Sequence, residues 1–157
     1  MFNATLLRWV AVVLPLAAVG AALVSQHVFD MQPCPWCVLQ RLVFVALALA
    51  ALPALISRSR TANRLSAVLV VLLAVCGAAA ALWQHFVAAS TNSCKLSLAD
   101  RIVSGLGLDS LWPQVFAAYA TCADAAVSLL GLPYEAFSLA LFVTLGALPL
   151  FLLRRAA

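Results

Sequence analysis

The sequence predicts an all-α membrane protein: a four-transmembrane-helix bundle with both termini cytoplasmic and a long second periplasmic loop. Three observations carry this expectation: an apolar excess, four apolar stretches of spanning length, and a one-sided distribution of charge. Of 157 residues, 66% are hydrophobic and 9% charged, against about 45–50% apolar and about 25% charged in soluble domains. A globule of this size needs more polar surface than that. The surplus must face lipid, and residues 1–157 read as one membrane domain.

The apolar stretches run over 6–24, 38–56, 65–83 and 136–153. Each falls within the roughly 17–25 residues a helix needs to cross a bilayer core. Helix is required because hydrocarbon offers no partner to a bare N–H or C=O. Pro15 and Pro53 interrupt the first two spans and are expected to kink them. The first stretch, with Arg8 ahead of it and Gly20, Ala21 and Ala22 near its end, also has the make-up of a secretory signal peptide. Its length, and the need for a fourth side to the bundle, favour a retained helix.

Charge supplies the orientation. Arg8, Arg58, Arg60, Arg64, Arg154 and Arg155 lie at the N-terminus, the second connection or the C-terminus, where there is no acid. Asp30, Asp100, Asp109, Asp124 and Glu135 all lie in the first and third connections. The positive-inside rule then puts both termini and loop 57–64 in the cytoplasm, and connections 25–37 and 84–135 outside. Lys95 and Arg101 fall on the outer side, but two cations in a long loop weigh little. The net charge of +4 belongs to this anchoring, so no nucleic-acid partner is expected. Within the long loop, amphipathic pieces at 96–103 and 111–119 are separated by Gly105, Gly107 and Pro113. They either lie on the bilayer, with Leu111, Trp112, Val115 and Phe116 dipping into its interface, or pack as an ordinary loop.

Four of the five cysteines fall on the predicted outer side: Cys34 and Cys37, then Cys94 and Cys122. Disulfides persist in such oxidising compartments as the periplasm of a bacterial inner membrane. A Cys94–Cys122 bond would close a loop of about 29 residues and stabilise it by roughly 3.5 kcal/mol. That pair is either a staple or something more active. A bridge between Cys34 and Cys37 closes almost no loop, so its use lies in forming and breaking. Pro35 suits a first helical turn, which sets Cys37 at the positive end of the span-two dipole, where thiolate is favoured. Arg41, four residues on, lies one turn deeper on the same face. It either snorkels to the interface or acts as a fixed cation that stabilises the Cys37 thiolate and polarises an acceptor oxygen. A metal site is not expected, because Cys94 and Cys122 are far apart and no histidine joins a close ligand set. Cys76, inside span three, reads as a small buried hydrophobe.

The run Cys34-Pro35-Trp36-Cys37-Val38-Leu39-Gln40-Arg41 resembles the CxxC-xx-QR signature at the start of the second span of the DsbB family. Pro113-Gln114-Val115-Phe116 ahead of Cys122-Ala123, and Leu130-Gly131-Leu132 after it, are similar to that family's second loop. With four spans and two outer cysteine pairs, the resemblance covers nearly the whole chain. It implies a quinone-dependent protein thiol–disulfide oxidoreductase of the inner membrane. In that scheme a Cys94–Cys122 disulfide oxidises a DsbA-like periplasmic carrier, and exchange passes the electrons to Cys34–Cys37. Cys37, beside Arg41, then delivers them to ubiquinone or menaquinone.

His27 and His85, at the outer ends of spans one and three, lie at the depth of Cys37. Each is either an ordinary interfacial residue or, for His85 in our assignment, a hydrogen-bond donor to a quinone carbonyl. The chain departs from the family pattern at Val127 and at Pro133-Tyr134-Glu135-Ala136-Phe137, where the family often carries a tryptophan and a Met-Pro-x-Trp stretch. Packing around the quinone pocket is therefore not carried over from the family. Two other readings remain: a non-catalytic, disulfide-stapled membrane scaffold or assembly factor, and an oxidase similar to vitamin K epoxide reductase, whose CxxC lies late in its bundle.

Overall fold

The computed structural model describes residues 4–57, 59–90, 97–129 and 131–156, with side chains between 5 and 152. Arg58, Cys94, Lys95, Leu96 and Leu130, and the side chains of Arg154 and Arg155, lie outside the described residues. In chain order the helices are α1 (Ala4–Val28), α2 (Pro35–Ile56), α3 (Arg60–Phe86), α4 (Leu98–Gly105), α5 (Leu108–Leu111), α6 (Pro113–Phe116) and α7 (Tyr134–Ala156). Two short strands, β1 (Ser128–Leu129) and β2 (Leu132–Pro133), pair antiparallel just before α7. Helices α1, α2, α3 and α7 are each long and apolar enough to cross a membrane. The chain is thus a multi-pass, all-helical membrane protein, as its apolar excess predicts.

The prolines do not end these helices. Pro15, Pro53 and Pro149 all lie inside continuous helix. In hydrocarbon an ended helix would strand several backbone groups, so a single lost hydrogen bond is the smaller cost.

Around the bundle α1 packs on α2, α2 on α3 and α3 on α7, while α1 and α7 touch least. The middle of the bundle is held by close packing. Phe142 is fully buried and stacks on Phe44 with ring centroids 4.2 Å apart. A side chain at Gly77 would overlap the Phe142 ring, so glycine there lets α3 and α7 approach. Gly146 faces Ala74 across the same pair of helices. Small residues at such contacts matter more in lipid than in water, because apolar burial gives no net drive between helices. Leu49, Leu72, Val75 and Val143 point outward and are exposed, as lipid-facing residues should be.

The third connection is built from short pieces. Ser97 caps α4 in a capping box with Asp100. Gly107, at φ +68°, supplies the left-handed turn that starts α5. Val103 of α4 and Phe116 of α6 bury themselves against Val38 of α2, while Leu98, Leu106, Leu111 and Trp112 are exposed. Of the two readings left open for 111–119, the interfacial one does not hold for all four residues, since Phe116 packs inward as in an ordinary loop. The chain breaks between α5 and α6 at Trp112 (φ −139°, ψ 68°), so Phe116 turns inward while Leu111 and Trp112 turn out.

Candidate functional site

The first turn of α2 organises the site. Cys34 is its N-cap, with extended backbone, and its Sγ accepts a hydrogen bond from the Cys37 amide at 3.3 Å. Pro35 fills the first helical position, where its missing N–H costs nothing. This turn wraps the two sulfurs to 2.8 Å from each other, longer than the roughly 2.05 Å of a disulfide but poised for one. Cys34 is fully buried and Cys37 half-buried.

A third sulfur is brought in by backbone pairing between the two connections. The amides of Tyr119 and Ala120 both donate to the Pro33 carbonyl, at 3.0 and 3.3 Å. That contact lays the segment after α6 across the head of α2. Cys122 then packs with Cys34, Trp36 and Cys37 in one buried cluster. Its sulfur is hydrogen-bonded with Cys34 and receives the Trp36 amide, and these contacts hold its thiol below the usual range against the opposing pull of burial. The contacts to Cys122 and Cys37, with burial, push Cys34 well up. Cys34 therefore keeps its proton between two sulfurs, and Cys122 is the readier thiolate. Cys94 lies outside the described residues.

Below the sulfurs lies a buried polar layer. Gln84 of α3 donates to Cys37 Sγ at 3.3 Å and accepts from Gln40 Nε2 at 2.7 Å. Arg41 does not snorkel outward: it is 5% exposed. One of its terminal nitrogens donates to Gln26 Oε1 at 2.7 Å and to the Val115 carbonyl at 3.1 Å. The other donates to the Ala22 carbonyl at 3.3 Å. Its Nε is buried and has no hydrogen-bond partner among the described residues.

A cavity of about 250 Å³ opens where α1 and α7 diverge. Cys37, Gln40, Arg41 and Gln84 reach it from α2 and α3, and Tyr134, Glu135 and Phe137 from α7. Most of the rest of its wall is apolar, including Ala18, Ala21, Ala22, Phe44 and Leu141. His85 Nδ1 sits 2.8 Å from Glu135 Oε1, so the residue of this pair that lines the cavity is the carboxylate. His27 is exposed. Cys76 is also exposed, on the outer face of α3, which corrects its expected burial; at mid-span that face meets lipid.

The structure thus brings together Cys34, Cys37, Cys122 and Arg41. It adds Gln26, Gln84 and Glu135, to which sequence alone assigns no site role, and gives Gln40 of the signature a place in the polar layer. A signal was available for two of them. Gln26-His27 and Gln84-His85 are parallel pairs at the ends of α1 and α3, and in both the glutamine turns inward and the histidine outward.

Residues 4–152 match the family model for the disulfide bond formation protein DsbB. Disulfide bond formation protein B 1 of Pseudomonas entomophila is 35% identical over 132 residues, covering 83% of this chain and 79% of the relative. Disulfide bond formation protein B of Herminiimonas arsenicoxydans is 32% identical over 142 residues, covering 90% and 87%. The protein of that name from Cupriavidus metallidurans is 35% identical over 128 residues, covering 81% and 78%. No solved structure is a significant match. With this match over nearly its whole length and its sulfurs gathered at the head of a membrane helix, the chain belongs to the DsbB family of membrane disulfide oxidoreductases.

Proposed function

We propose that the protein oxidises a DsbA-like periplasmic dithiol carrier and passes the electrons through its two cysteine pairs to ubiquinone or menaquinone. The observation that carries this reading is the position of Cys37: its sulfur touches Cys34 on one side and opens on the other into the cavity it shares with Arg41. The bacterial inner membrane, with the cysteines facing the periplasm, is the proposed location. Arg60 and Arg64 lie at the opposite end of the bundle from Cys34 and Cys37, as the positive-inside rule requires of a cytoplasmic end.

The chemistry follows from the order of the sulfurs. A carrier thiolate attacks a Cys94–Cys122 disulfide, and the resulting mixed disulfide is resolved by the carrier's second thiol. Cys94 and Cys122 are left reduced. Cys122, the readier thiolate, attacks Cys34 Sγ of a Cys34–Cys37 disulfide. A Cys122–Cys34 bond forms as the Cys34–Cys37 bond breaks, and Cys37 leaves as a thiolate. Cys94 then attacks Cys122, which restores the outer disulfide and leaves Cys34 reduced. Gln84 donates a hydrogen bond to the Cys37 sulfur, and Arg41 lies beside it as a cation.

The cavity residues fit a quinone head group. Arg41 Nε is a buried donor with no partner among the described residues, and the wall is mostly apolar. A volume of about 250 Å³ is just below the roughly 300–1,000 Å³ of sites that enclose whole ligands, which suits a head group whose tail stays in lipid. A bound quinone supplies an acceptor for two electrons and two protons. Cys37 would face it, and Arg41 would hold its carbonyl oxygen.

Purified protein in lipid, offered a reduced dithiol carrier, should consume quinone, and Cys37→Ser should abolish that consumption. Turnover retained by the variant would defeat the mechanism. Thiol trapping in growing cells separates this reading from a stapled scaffold. Both cysteine pairs should accumulate reduced when quinone synthesis is blocked, whereas a scaffold stays oxidised either way.

A further inference from the structure

Glu135 is a buried carboxylate that the sulfur chemistry does not use. It is 7% exposed, lines the cavity beside Cys37 and Arg41, and bonds His85 Nδ1 at 2.8 Å. His85 is 45% exposed. One end of the pair is therefore at the cavity and the other at the protein surface. An acid in the first turn of α7 also complements that helix's dipole, and this alone would make Glu135 a structural residue. The dipole does not explain its burial at a cavity wall, nor its pairing with an exposed imidazole on another helix.

We infer that Glu135 and His85 form a proton-entry pair for the acceptor site, with Glu135 the group that hands a proton to the acceptor oxygen. The inference rests on the quinone reading above. Its balance is as follows. Oxidation of the two thiols forms one S–S bond and releases two electrons and two protons, and reduction of a quinone to the hydroquinone consumes two of each. The electrons leave through the Cys37 sulfur. Cys37 reacts as a thiolate, so its own proton has already gone to solvent and must be replaced at the acceptor from elsewhere. Glu135 gives one proton from its carboxyl oxygen to the acceptor, is reloaded through the 2.8 Å contact with His85 Nδ1 and gives the second, while the Cys34 proton leaves to solvent as the S–S bond forms. The exposed His85 ring takes up a proton from water in its turn.

The test begins without any quinone. In ¹⁵N-histidine-labelled protein, the His85 Nδ1 signal should move in Glu135→Gln; an unmoved signal would overturn the pairing. Carrier oxidation in a single turnover without quinone should stay within twofold of wild type in the same variant, which also serves as its folding control. Quinone affinity is read by tryptophan quenching, so that the reduction rate is compared at saturating quinone. Reduction of bound quinone should slow at least tenfold, with a larger solvent deuterium isotope effect, and formate should restore part of the rate in Glu135→Ala. A Glu135→Gln protein that reduces quinone at the wild-type rate, or that loses both half-reactions equally, makes Glu135 merely structural and overturns the inference. If wild-type protein leaves quinone oxidised, the acceptor reading itself falls, and this inference with it.

Discussion

At the cysteine end of the bundle Gln26, Gln40, Arg41, Gln84 and Glu135 are all buried, and the helices stand apart around a cavity. Directly beneath, Phe142 lies flat on Phe44, whose ring is part of the cavity wall, and against Gly77, with no polar group among them. The same helices build both regions. The difference shows what each costs and what it allows. Aromatic and glycine packing brings α2, α3 and α7 into close contact and leaves no room for chemistry. Buried amides and a guanidinium must each find a partner, and here they find it between α1, α2 and α3, while α1 and α7 stand apart beside Cys37. Rigidity below lets the upper layer stay open without the bundle spreading.

The contrast is broken most sharply by removing the cation. Arg41→Ala takes donors from Gln26 Oε1 and from the carbonyls of Val115 and Ala22, and it strips the acceptor site of its positive charge. Quinone reduction should fall by about 10²-fold, as when an oxyanion donor is lost elsewhere. Carrier oxidation in a single turnover should fall far less. Equal losses in stopped-flow measurements of the two half-reactions would count against the assigned role of Arg41.

In the packed layer beneath the cavity the next largest effect is on stability. Gly77→Ala forces a methyl into the Phe142 ring, and overpacking of this kind costs about 1–3 kcal/mol. The loss should appear as a lower unfolding midpoint in detergent, and Phe142→Leu should recover part of it in the double variant. If Gly77→Ala proves neutral, the ring has room to move and the middle of the bundle is looser than its packing suggests.

A smaller effect is expected within the sulfur cluster. The Cys122 thiol is held down chiefly by its hydrogen bond with Cys34. In a Cys94→Ser background, Cys34→Ala should therefore shift the alkylation profile of Cys122 to higher pH. The sign follows because the thiolate loses a donor and the protonated form gains by comparison. At a pH below both midpoints, labelling should slow several-fold. A shift to lower pH would mean that the opposing burial of Cys122 is relieved instead, and that Cys34 is not its main support.

Much of this was legible in the sequence, and the limits have physical causes. Four spans follow from length and hydropathy, because lipid leaves no alternative to helix. The CxxC turn follows from Pro35, and the place of Arg41 from a four-residue period. The partners of Arg41 do not follow, since Gln26, Ala22 and Val115 come from two other elements. Nor does the approach of Cys122 to Cys34, which depends on two amides meeting the Pro33 carbonyl 86 and 87 positions earlier in the chain. Gln26 and Gln84 were missed because a histidine beside each drew the chemistry, while helix rotation buried its neighbour. Glu135 was read as a marker of sidedness, and only the fold shows it facing a cavity.

Cys76 gives the smallest expected effect and the cleanest check on the boundary between the two regions. It precedes Gly77, so it faces away from Phe142 and out of the bundle at mid-span. A lipid-soluble maleimide should label it readily and a charged one should not, since only the former reaches the middle of the bilayer. Cys76→Ser should leave both half-reactions unchanged. The serine hydroxyl can bond back to the carbonyl four residues earlier, as Thr144 already does to Ala140 at 2.7 Å, so the substitution strands no polar group in hydrocarbon. A loss of quinone reduction in this variant would mean that packing at mid-span is transmitted to the cavity, and the two regions could no longer be treated as separate.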